Sequence, residues 1–354
     1  MPKECDIAVV GGGFTGLAAA AWLRHLDRNL SIAVLEARGI GAGASGRTGG
    51  IVLADTAAGE QRGLGDVLEG FQKILNTLGV DCDLSLAGAW EIARRGGRKT
   101  SPIAWEDSGT LRVVDEIPGG TLDPGKLLSG LSQAAHDRGA AIFQDQPVDG
   151  VNWGAIPELK LESATLCAKK ILFATNAFSL AISGLGAAHP RLTLAASTEP
   201  VSEKLLEEIG LAERKPFYTV DYPYLWGRVQ RDNSIIFGAG LVSAPDSPDL
   251  EGVDIHAPES SRMFDSLERR VRNIHPALAE IRFARRWGGP ILFRDNWRPV
   301  FSWHPASRNA IVLGAFAGHG VALSSYLGAW AAEALLGRRK LPPWGSLGRA
   351  ERSQ

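Results

Sequence analysis

The sequence predicts an α/β protein with two domains, one built on a parallel sheet and the other an inserted α+β domain with a mainly antiparallel sheet. Its 354 residues are enough for about two domains of ordinary size. A G-x-G-x-x-G motif at residues 11–16 lies between a strand pattern and a helix pattern, which is typical of a βαβ unit. Side chains alternate with period two over residues 218–228, which favours an antiparallel strand in a second sheet.

The composition is that of a soluble globular enzyme. Hydrophobic residues make up 45% of the chain and charged residues 22%. The formal net charge is -1, so we expect no nucleic-acid partner bound through a broad basic surface. The 42 glycines among 354 residues make up about 12% of the chain, above the usual share of roughly 7%. Such a surplus favours backbone that turns tightly or approaches a ligand closely.

The cysteines indicate neither a disulfide framework nor a metal site. Cys5, Cys82 and Cys167 lie far apart, and the sequence has no C-x-x-C motif. A reducing, cytoplasmic location fits this pattern. Two apolar runs, at 7–23 and 311–337, are predicted to be buried core rather than a signal peptide or an integral membrane segment.

The first elements form the βαβ unit of a Rossmann-like nucleotide-binding domain. A buried strand is predicted at 5–10, a helix at 17–26 and a second strand at 31–35, which ends at Glu36. The glycine motif lies in the first turn, and the acid follows the last motif glycine by about 20 residues, as this fingerprint requires.

Each position of the fingerprint has a physical task. Gly11 permits the tight turn, Gly13 lets the backbone approach a pyrophosphate, and Gly16 allows close packing of helix on strand. The helix N-terminus offers free N–H groups to phosphates. Glu36 is placed to bind ribose hydroxyls and would repel a 2′-phosphate, which disfavours NADP. A glycine turn without a ligand is the structural alternative.

The fingerprint alone does not distinguish NAD from FAD. The following segment, residues 37–50, is too rich in glycine for a helix or strand, and loops of this length are usually functional. FAD is longer than the adenosine half of NAD, and such a loop is able to follow it toward the flavin.

With these motifs the sequence resembles the FAD-dependent oxidoreductases of the D-amino-acid, glycine and sarcosine oxidase type. The resemblance covers most of the chain and depends on the fingerprint, G-A-S-G-R-T-G-G at 43–50, A-T-N-A at 174–177, W-G-G at 287–289 and G-H-G at 318–320. The form of the 43–50 and 174–177 motifs is similar to that of the γ-glutamylputrescine oxidase branch.

The resemblance implies that FAD is bound non-covalently. Relatives of the sarcosine oxidase type attach FAD through a Cys shortly after W-G-G, where this chain has Pro290 and Ile291. No metal is implied. The predicted FAD-binding residues are Gly11, Gly13, Phe14, Thr15, Gly16, Glu36, Ala37, Arg38, Ser45, Gly46, Arg47, Thr48, Gly49, Gly50, Val148, Thr175, Asn176, Gly289, Gly318, His319, Gly320 and Val321.

Later elements and the family topology give the domain organisation. The patterns predict a helix at 126–138, strands at 140–143 and 169–174, one strand at 218–228 with a hairpin partner at 234–238, a helix at 260–272, a strand at 310–313 and a helix at 321–336. The predicted FAD-binding domain comprises 1–76, 122–188 and 288–354, and the predicted substrate-binding domain comprises 77–121 and 189–287.

Candidate substrate and catalytic residues come from two segments. His319 is predicted beside the flavin, where a helix dipole would stabilise negative charge on the reduced ring. Tyr224 and Arg228 complete the catalytic set. The substrate-binding candidates are Tyr222, Tyr224, Trp226 and Arg298. The structural alternatives are a helix-capping histidine, a plain aromatic sheet surface and an exposed arginine.

Two departures from relatives affect the expected chemistry. Ile291 stands where glycine and D-amino-acid oxidase relatives place an Arg for the substrate carboxylate, and Ala322 stands where sarcosine-type relatives place a Lys. Residues 216–339 contain no Lys. A carboxylate would therefore need another Arg, and efficient reaction with oxygen is in doubt.

The sequence thus predicts an enzyme that oxidises a C–N bond of a small amine or amino acid by hydride transfer to flavin N5, giving an imine that hydrolyses. Oxygen or another acceptor takes the electrons. The alternatives are a quinone- or carrier-linked amino-acid dehydrogenase and a flavin-binding subunit of a hetero-oligomer. An NAD-dependent dehydrogenase is a third alternative. An oligomer is compatible with the sequence.

Overall fold

The computed structural model describes residues 1–185, 188–242 and 257–346. The strands in this part of the chain are β1 (Glu4–Val10), β2 (Ile32–Leu35), β3 (Ile51–Leu53), β4 (Ala89–Ala93), β5 (Trp105–Glu106), β6 (Thr110–Ile117), β7 (Gly119–Thr121), β8 (Ala141–Phe143), β9 (Val148–Asn152), β10 (Glu158–Leu161), β11 (Thr165–Phe173), β12 (His189–Thr198), β13 (Phe217–Thr219), β14 (Leu225–Val229), β15 (Ile235–Val242), β16 (Phe283–Phe293), β17 (Val300–His304) and β18 (Ser307–Gly314). The helices are α1 (Phe14–Leu26), α2 (Val67–Leu78), α3 (Pro124–Asp137), α4 (Leu180–Ser183), α5 (Glu203–Glu208), α6 (Pro258–Ile274) and α7 (Gly320–Leu335).

The first sheet has the order β17-β18-β11-β1-β2-β8. Its central pairs are parallel: β1 with β11 and β2, β2 with β8, and β11 with β18. Strand β17 is antiparallel to β18. Strand β10 pairs antiparallel with the start of β11, and β9 pairs antiparallel with β10. The carboxyl ends of β1, β2 and β11 therefore lie along one edge, where α/β sheets usually bind ligands.

Helices α1 and α7 pack against each other on this sheet. Residues 14–23 of α1 are all buried, as are nearly all residues of α7. The contact is close, because a Cβ at Gly328 would lie 2.5 Å from the Thr15 carbonyl oxygen. Both apolar runs noted in the sequence therefore belong to the core. No helix of the described residues is long and apolar enough to cross a membrane.

The second sheet has the order β16-β12-β15-β14-β13-β4-β6-β5. Its pairs are antiparallel except for β13 with β4. The core of this sheet centres on Trp105, whose ring meets Phe217 edge-on at 5.0 Å and also contacts Phe237. Helix α6 packs on this core through Phe264 and Val271. The predicted α/β fold with a mainly antiparallel second sheet is confirmed.

The prediction of one strand at 218–228 is wrong. The segment forms two antiparallel strands, β13 and β14, joined by a turn at 220–224. Pro223 lies in this turn, and a proline has no N–H to donate to a sheet ladder. The hairpin places Tyr218 opposite Trp226, so these side chains lie on neighbouring strands. The partner predicted at 234–238 corresponds to β15, which pairs with β14.

A buried ionic cluster anchors the 220–224 turn. Asp107 bridges Arg94 and Arg270. Both guanidinium groups donate to the Pro223 carbonyl, at 3.0 and 2.8 Å, and Arg94 also pairs with Asp221. The turn is therefore held by charged hydrogen bonds, together with one backbone bond from the Val220 N–H to the Ile92 carbonyl of β4.

The domain boundaries remain a prediction. Strand β16 pairs with β12 as far as Phe293, so residues 288–293 belong to the second sheet although the prediction assigns them to the FAD-binding domain. The first sheet resumes at β17.

Candidate functional site

A cavity of about 780 Å³ lies between the carboxyl edge of the first sheet and the second sheet. The ends of β1, β2 and β11, the loop after β2, strands β13, β14 and β16, and the loop before α7 contribute to its wall. Of the predicted FAD-binding residues, the wall includes Gly11, Gly13, Phe14, Thr15, Glu36, Ala37, Arg38, Ser45, Arg47, Thr48, Gly49, Val148, Thr175, Asn176, Gly289, Gly318, His319, Gly320 and Val321.

The fingerprint glycines shape the backbone at one end of the cavity. Gly11 has φ +112°, and a Cβ there would lie 2.7 Å from the Ala174 carbonyl oxygen. A Cβ at Gly16 would lie 2.0 Å from the Gly11 carbonyl oxygen. Gly13 is the N-cap of α1 and offers no side chain to cap it. The start of α1 therefore presents backbone, not side chains, to the cavity.

Glu36 lies where β2 ends. Its Oε2 accepts a hydrogen bond from the Gly12 N–H at 2.7 Å, and its Oε1 accepts one from the Arg38 N–H at 3.0 Å. These two bonds orient the carboxylate, and each oxygen keeps a lone pair for a further donor. The Arg38 guanidinium lies 5.2 Å from the centroid of the Phe178 ring.

The loop after β2 covers the start of α1. The Ser45 hydroxyl accepts a hydrogen bond from the Phe14 N–H at 3.0 Å. Burial, and then the charge of Arg38, lower the pKa of Arg47. Two arginines thus supply positive charge at this end of the cavity.

Three of the predicted FAD-binding glycines do not reach the wall. Gly46 and Gly50 shape the loop, since a Cβ at either position would lie within 2.5 Å of a carbonyl oxygen, that of Gly41 or Leu122. Gly16 lies one helical turn behind Gly13.

A second helix also points its N-terminus at the cavity. Helix α7 follows the loop in which Ala315, Ala317 and Gly318 have positive φ, and it has no side-chain cap. The Asn176 Oδ1 accepts a hydrogen bond from the Ala315 N–H at 3.0 Å. Left-handed alanines cost about 1 kcal/mol each or more, which indicates a loop conformation that the surrounding structure imposes.

One buried polar atom in this wall has no protein partner. Thr175 Oγ1 forms no hydrogen bond within the described residues. Buried hydroxyls are normally paired, so a ligand group at this position would complete its hydrogen bonding.

The second sheet forms the opposite wall through its register. Glu91, Tyr218, Trp226 and Gly238 stand side by side on four neighbouring strands. The Tyr218 hydroxyl donates to Glu91 Oε1 at 2.6 Å. Gly238 leaves space for the Trp226 ring, since a Cβ there would lie 1.9 Å from that ring.

His319 joins the two walls. Its ring meets the Tyr218 ring edge-on, with centroids 6.5 Å apart. Burial lowers the pKa of His319, while the Ala317 carbonyl, Asp55 and Glu91 oppose the shift. Burial, and then the hydrogen bond to Glu91, raise the pKa of Tyr218 above its usual range. Both side chains are therefore neutral at neutral pH.

The aromatic substrate candidates separate into two groups. Tyr224 and Trp226 line the cavity, whereas Tyr222 is 67% exposed and does not. The Tyr222 and Tyr224 rings lie 4.1 Å apart, so Tyr222 covers the outer side of Tyr224. Because the segment turns at Pro223, these tyrosines do not share one strand face as predicted.

The structure does not bring the predicted catalytic Arg228 or the predicted substrate-binding Arg298 to the cavity. Arg228 Nη1 donates to the carbonyl oxygen of Leu122 at 2.7 Å, and burial lowers the pKa of Arg228 to about 10. Arg228 lies two residues after Trp226 on β14, and its side chain is directed to the carbonyl oxygen of Leu122 instead of to the cavity. Arg298 is exposed.

Sequence reasoning missed Glu91 and Asp55, which both line the cavity. Glu91 is the one charged residue in β4, a strand that is otherwise apolar. An acid within an apolar strand was a usable signal. Asp55 follows β3, a short strand without a clear pattern.

The described residues contain no group of His, Cys, Asp or Glu that could hold a metal ion. Cys5, Cys82 and Cys167 are free thiols, and none of them contributes to the cavity wall.

Comparison with known proteins identifies the family of the chain. The family DAO, described as FAD dependent oxidoreductase, matches residues 6–334. Gamma-glutamylputrescine oxidoreductase of Escherichia coli (strain K12) is 26% identical over 94% of this chain and 84% of its own length. Sarcosine oxidase subunit beta of Rhizobium meliloti (strain 1021) is 23% identical over 85% of this chain and 77% of its own. The crystal structure of glycine oxidase from Geobacillus kaustophilus superimposes with a TM-score of 0.74 at 17% identity, covering 98% of this chain and 99% of that one. The predicted resemblance is thereby confirmed, and the chain belongs to the DAO family of FAD-dependent oxidoreductases.

Proposed function

We propose that this FAD-dependent oxidoreductase oxidises the C–N bond of a small amine or amino acid. The observation that carries this proposal is the cavity that connects the fingerprint and the α7 N-terminus with the aromatic wall of the second sheet. The relatives named above act, by their names, on nitrogen compounds of this kind: γ-glutamylputrescine, sarcosine and glycine.

The cavity has the donors that FAD needs. The α1 N-terminus, with Gly13 and Ser45, would hold the pyrophosphate, and Glu36 would accept hydrogen bonds from ribose hydroxyls. Arg38 and Arg47 supply positive charge near the phosphates. The unpaired Thr175 hydroxyl supports a ligand on the adjoining wall.

We propose that the FAD is held without a covalent bond. Pro290 and Ile291, which line the cavity after W-G-G, have no nucleophilic side chain. The three cysteines lie away from the wall. Hydrogen bonds and burial would then be the whole of the attachment.

When bound, FAD would supply the two-electron oxidation of the C–N bond by hydride transfer, and water would hydrolyse the resulting imine. The chain itself provides position and charge stabilisation. The free N–H groups of Gly320 and Val321 at the α7 N-terminus would stabilise negative charge beside them. The rings of Tyr224 and Trp226 would exclude water from the substrate, and neutral His319 would contact Tyr218 where the two walls meet.

The acceptor of the electrons is a separate question. None of the cavity-lining residues that the structure describes is a lysine. Sarcosine-type relatives use such a lysine to activate oxygen, so its absence among these residues favours a quinone or carrier protein as the acceptor. The second candidate function is therefore an amine or amino-acid dehydrogenase.

The free thiols and the sequence charge support a cytoplasmic enzyme without a nucleic-acid partner. A relative named as a sarcosine oxidase subunit supports an oligomer as a further proposal. The alternative of a flavin-binding subunit, with a partner supplying the active site, predicts no turnover by this chain alone.

Anaerobic mixing of the purified yellow protein with a panel of amines and amino acids tests the proposal. We expect at least one compound to bleach the flavin absorbance. Reoxidation by air and by an artificial acceptor would then separate oxidase from dehydrogenase, since rapid hydrogen peroxide release excludes the dehydrogenase. A panel with no bleaching at all would contradict the proposed function and favour the subunit alternative.

A further inference from the structure

One row of side chains on the second sheet gives the substrate end of the cavity its chemical character. Glu91, Tyr218 and Trp226 lie in register on β4, β13 and β14. Their spacing of about 5 Å between strands makes them one continuous patch. Tyr224, from the anchored turn, extends the aromatic part of the patch.

The carboxylate in this row has no cationic partner. Glu91 is half-buried, and its Oε1 accepts the Tyr218 hydrogen bond. No ion pair to Glu91 or Asp55 is formed within residues 1–185, 188–242 and 257–346. A half-buried carboxylate without a cation is costly, and a ligand cation would offset that cost.

The protein supplies no positive charge at this end. Among the cavity-lining side chains that are described, the permanent cations are Arg38 and Arg47. The neighbouring charge that shifts the pKa of Arg47 is the guanidinium of Arg38. The neighbouring charges that shift the pKa values of His319 and Tyr218 are carboxylates, including those of Asp55 and Glu91. Burial keeps His319 neutral. The fingerprint end thus carries two cations, Arg38 and Arg47, with one carboxylate, Glu36, whereas the aromatic wall carries Glu91 and Asp55 and, among its described residues, no cation. The cavity is therefore more negative toward the aromatic wall.

We propose that the substrate is a cationic amine without a carboxylate on its reacting carbon, and that Glu91 binds its ammonium group. The ammonium gives one proton to this carboxylate before the C–N bond is oxidised, because only the neutral amine can form the imine. This inference depends on the proposed C–N oxidation. Tyr218 fixes the carboxylate through Oε1 and leaves Oε2 for the ligand. The faces of Tyr224 and Trp226 add cation–π attraction to the same group.

The same wall discriminates against α-amino acids. A substrate carboxylate at the reacting carbon would lie near Glu91 and Asp55 with no arginine to bind it. Repulsion of this kind selects against the wrong ligand without additional contacts. Ile291, on strand β16 of the same sheet, offers only apolar contact to the cavity.

The test uses the holoenzyme and matched pairs that differ only in the carboxylate. Pentylamine is compared with both enantiomers of norleucine, and 1,4-diaminobutane with both enantiomers of ornithine, by the rate of anaerobic flavin bleaching against concentration. We expect the amine of each pair to have at least a tenfold lower apparent Kd. Glu91→Gln should raise the amine Kd roughly 10- to 100-fold, as loss of a charge-assisted bond predicts.

Two further variants separate a specific effect from a general one. Tyr218→Phe should raise the amine Kd less than Glu91→Gln does, because it removes only the support of the carboxylate. Glu162→Gln removes an exposed carboxylate in the turn between β10 and β11 and should leave the Kd unchanged. An amine Kd that Glu91→Gln does not alter, or amino acids that bind as tightly as amines, would overturn the inference while leaving C–N oxidation intact.

A binding measurement without turnover keeps the two proposals distinguishable. The wild type and Glu91→Gln are titrated with pentyltrimethylammonium and with hexanoate, neither of which has an oxidisable C–N bond of the proposed kind, and the flavin spectrum reports binding. We expect the wild type to bind the cation more tightly and the variant to lose this preference. A wild type that prefers hexanoate refutes the inference even if no amine bleaches the flavin.

Discussion

Two kinds of single residue support the fold: glycines whose missing Cβ leaves room for neighbouring backbone, and a buried histidine that fits in its neutral form. Gly11 and Gly16 bring helix α1 against β1 so closely that one carbonyl oxygen occupies the space of a Cβ. His304, a buried residue at the end of β17 and outside the cavity wall, forms hydrogen bonds at both ring nitrogens and stacks on Trp153 at 4.4 Å. Each of these features has a measurable consequence.

Gly16→Ala should release FAD and destabilise the fold. Its Cβ would lie 2.0 Å from the Gly11 carbonyl oxygen and 3.0 Å from Val9 Cγ1, and the Gly11 backbone cannot move without displacing the nucleotide turn. We expect a loss of about 2 kcal/mol or more in the free energy of unfolding, as for other overpacked cores. Urea unfolding and the flavin-to-protein absorbance ratio measure this. Gly150→Ala is the matched control, because its Cβ would meet only Lys160, at 3.8 Å. Equal losses of unfolding free energy in both variants would contradict a steric cause for the effect of Gly16→Ala.

His304 should make stability fall as the pH is lowered below about 6.5, the ordinary histidine pKa. Its Nδ1 accepts from the Ala306 N–H and its Nε2 contacts the Ile182 carbonyl, so the neutral ring fits. Burial lowers the folded pKa, so the unfolded chain binds the proton more readily and stability rises with pH across this window. In His304→Gln, the unfolding free energy should differ less between pH 5 and pH 7.5 than it does in the wild type. The control His136→Gln removes an exposed histidine and should keep the wild-type difference. An unchanged pH profile would contradict the assignment.

Elements, rather than single residues, position the substrate wall. The 220–224 turn places Tyr224 at the cavity, and the ionic cluster of Asp107, Arg94 and Arg270 holds it. The Asp107 side chain is 8% exposed. A cluster of this kind is sensitive to removal of one partner, because the remaining charges are left buried and unpaired.

Asp107→Asn should therefore cost about 3 kcal/mol of unfolding free energy and raise the substrate KM more than it lowers kcat. The FAD content should stay near that of the wild type, since the turn does not contact the fingerprint. Asp115→Asn is the matched control: its partner Arg98 and Asp115 itself are both more than half exposed, so we expect a change of about 1 kcal/mol or less. Should the two variants lose equal stability, the anchoring role of Asp107 would be wrong. Chemical denaturation and steady-state kinetics provide both values.

At the level of the whole molecule, local patterns predicted the first sheet well and the second less well. The βαβ unit, α3 and α7 follow from periodicity and glycine placement. The 218–228 segment failed because alternation continues through Pro223, where the ladder cannot. Glu91 was missed because its role arises from register across four strands, which local spacing does not contain. Arg228 was selected from strand alternation, but it donates to the carbonyl oxygen of Leu122, directly after β7, and does not line the cavity.

The two sheets share one ligand cavity, so FAD should stabilise the molecule as a unit. Gly13 and Glu36 of the first sheet region and Gly289 of the second all line it. At FAD about 100-fold above its Kd, we expect about 2.7 kcal/mol of added unfolding free energy. The melting temperature should rise with FAD and not with NAD. Because no covalent link is proposed, acid precipitation should leave the yellow colour in the supernatant. A yellow pellet would contradict non-covalent binding, and a melting curve indifferent to FAD would contradict the shared site.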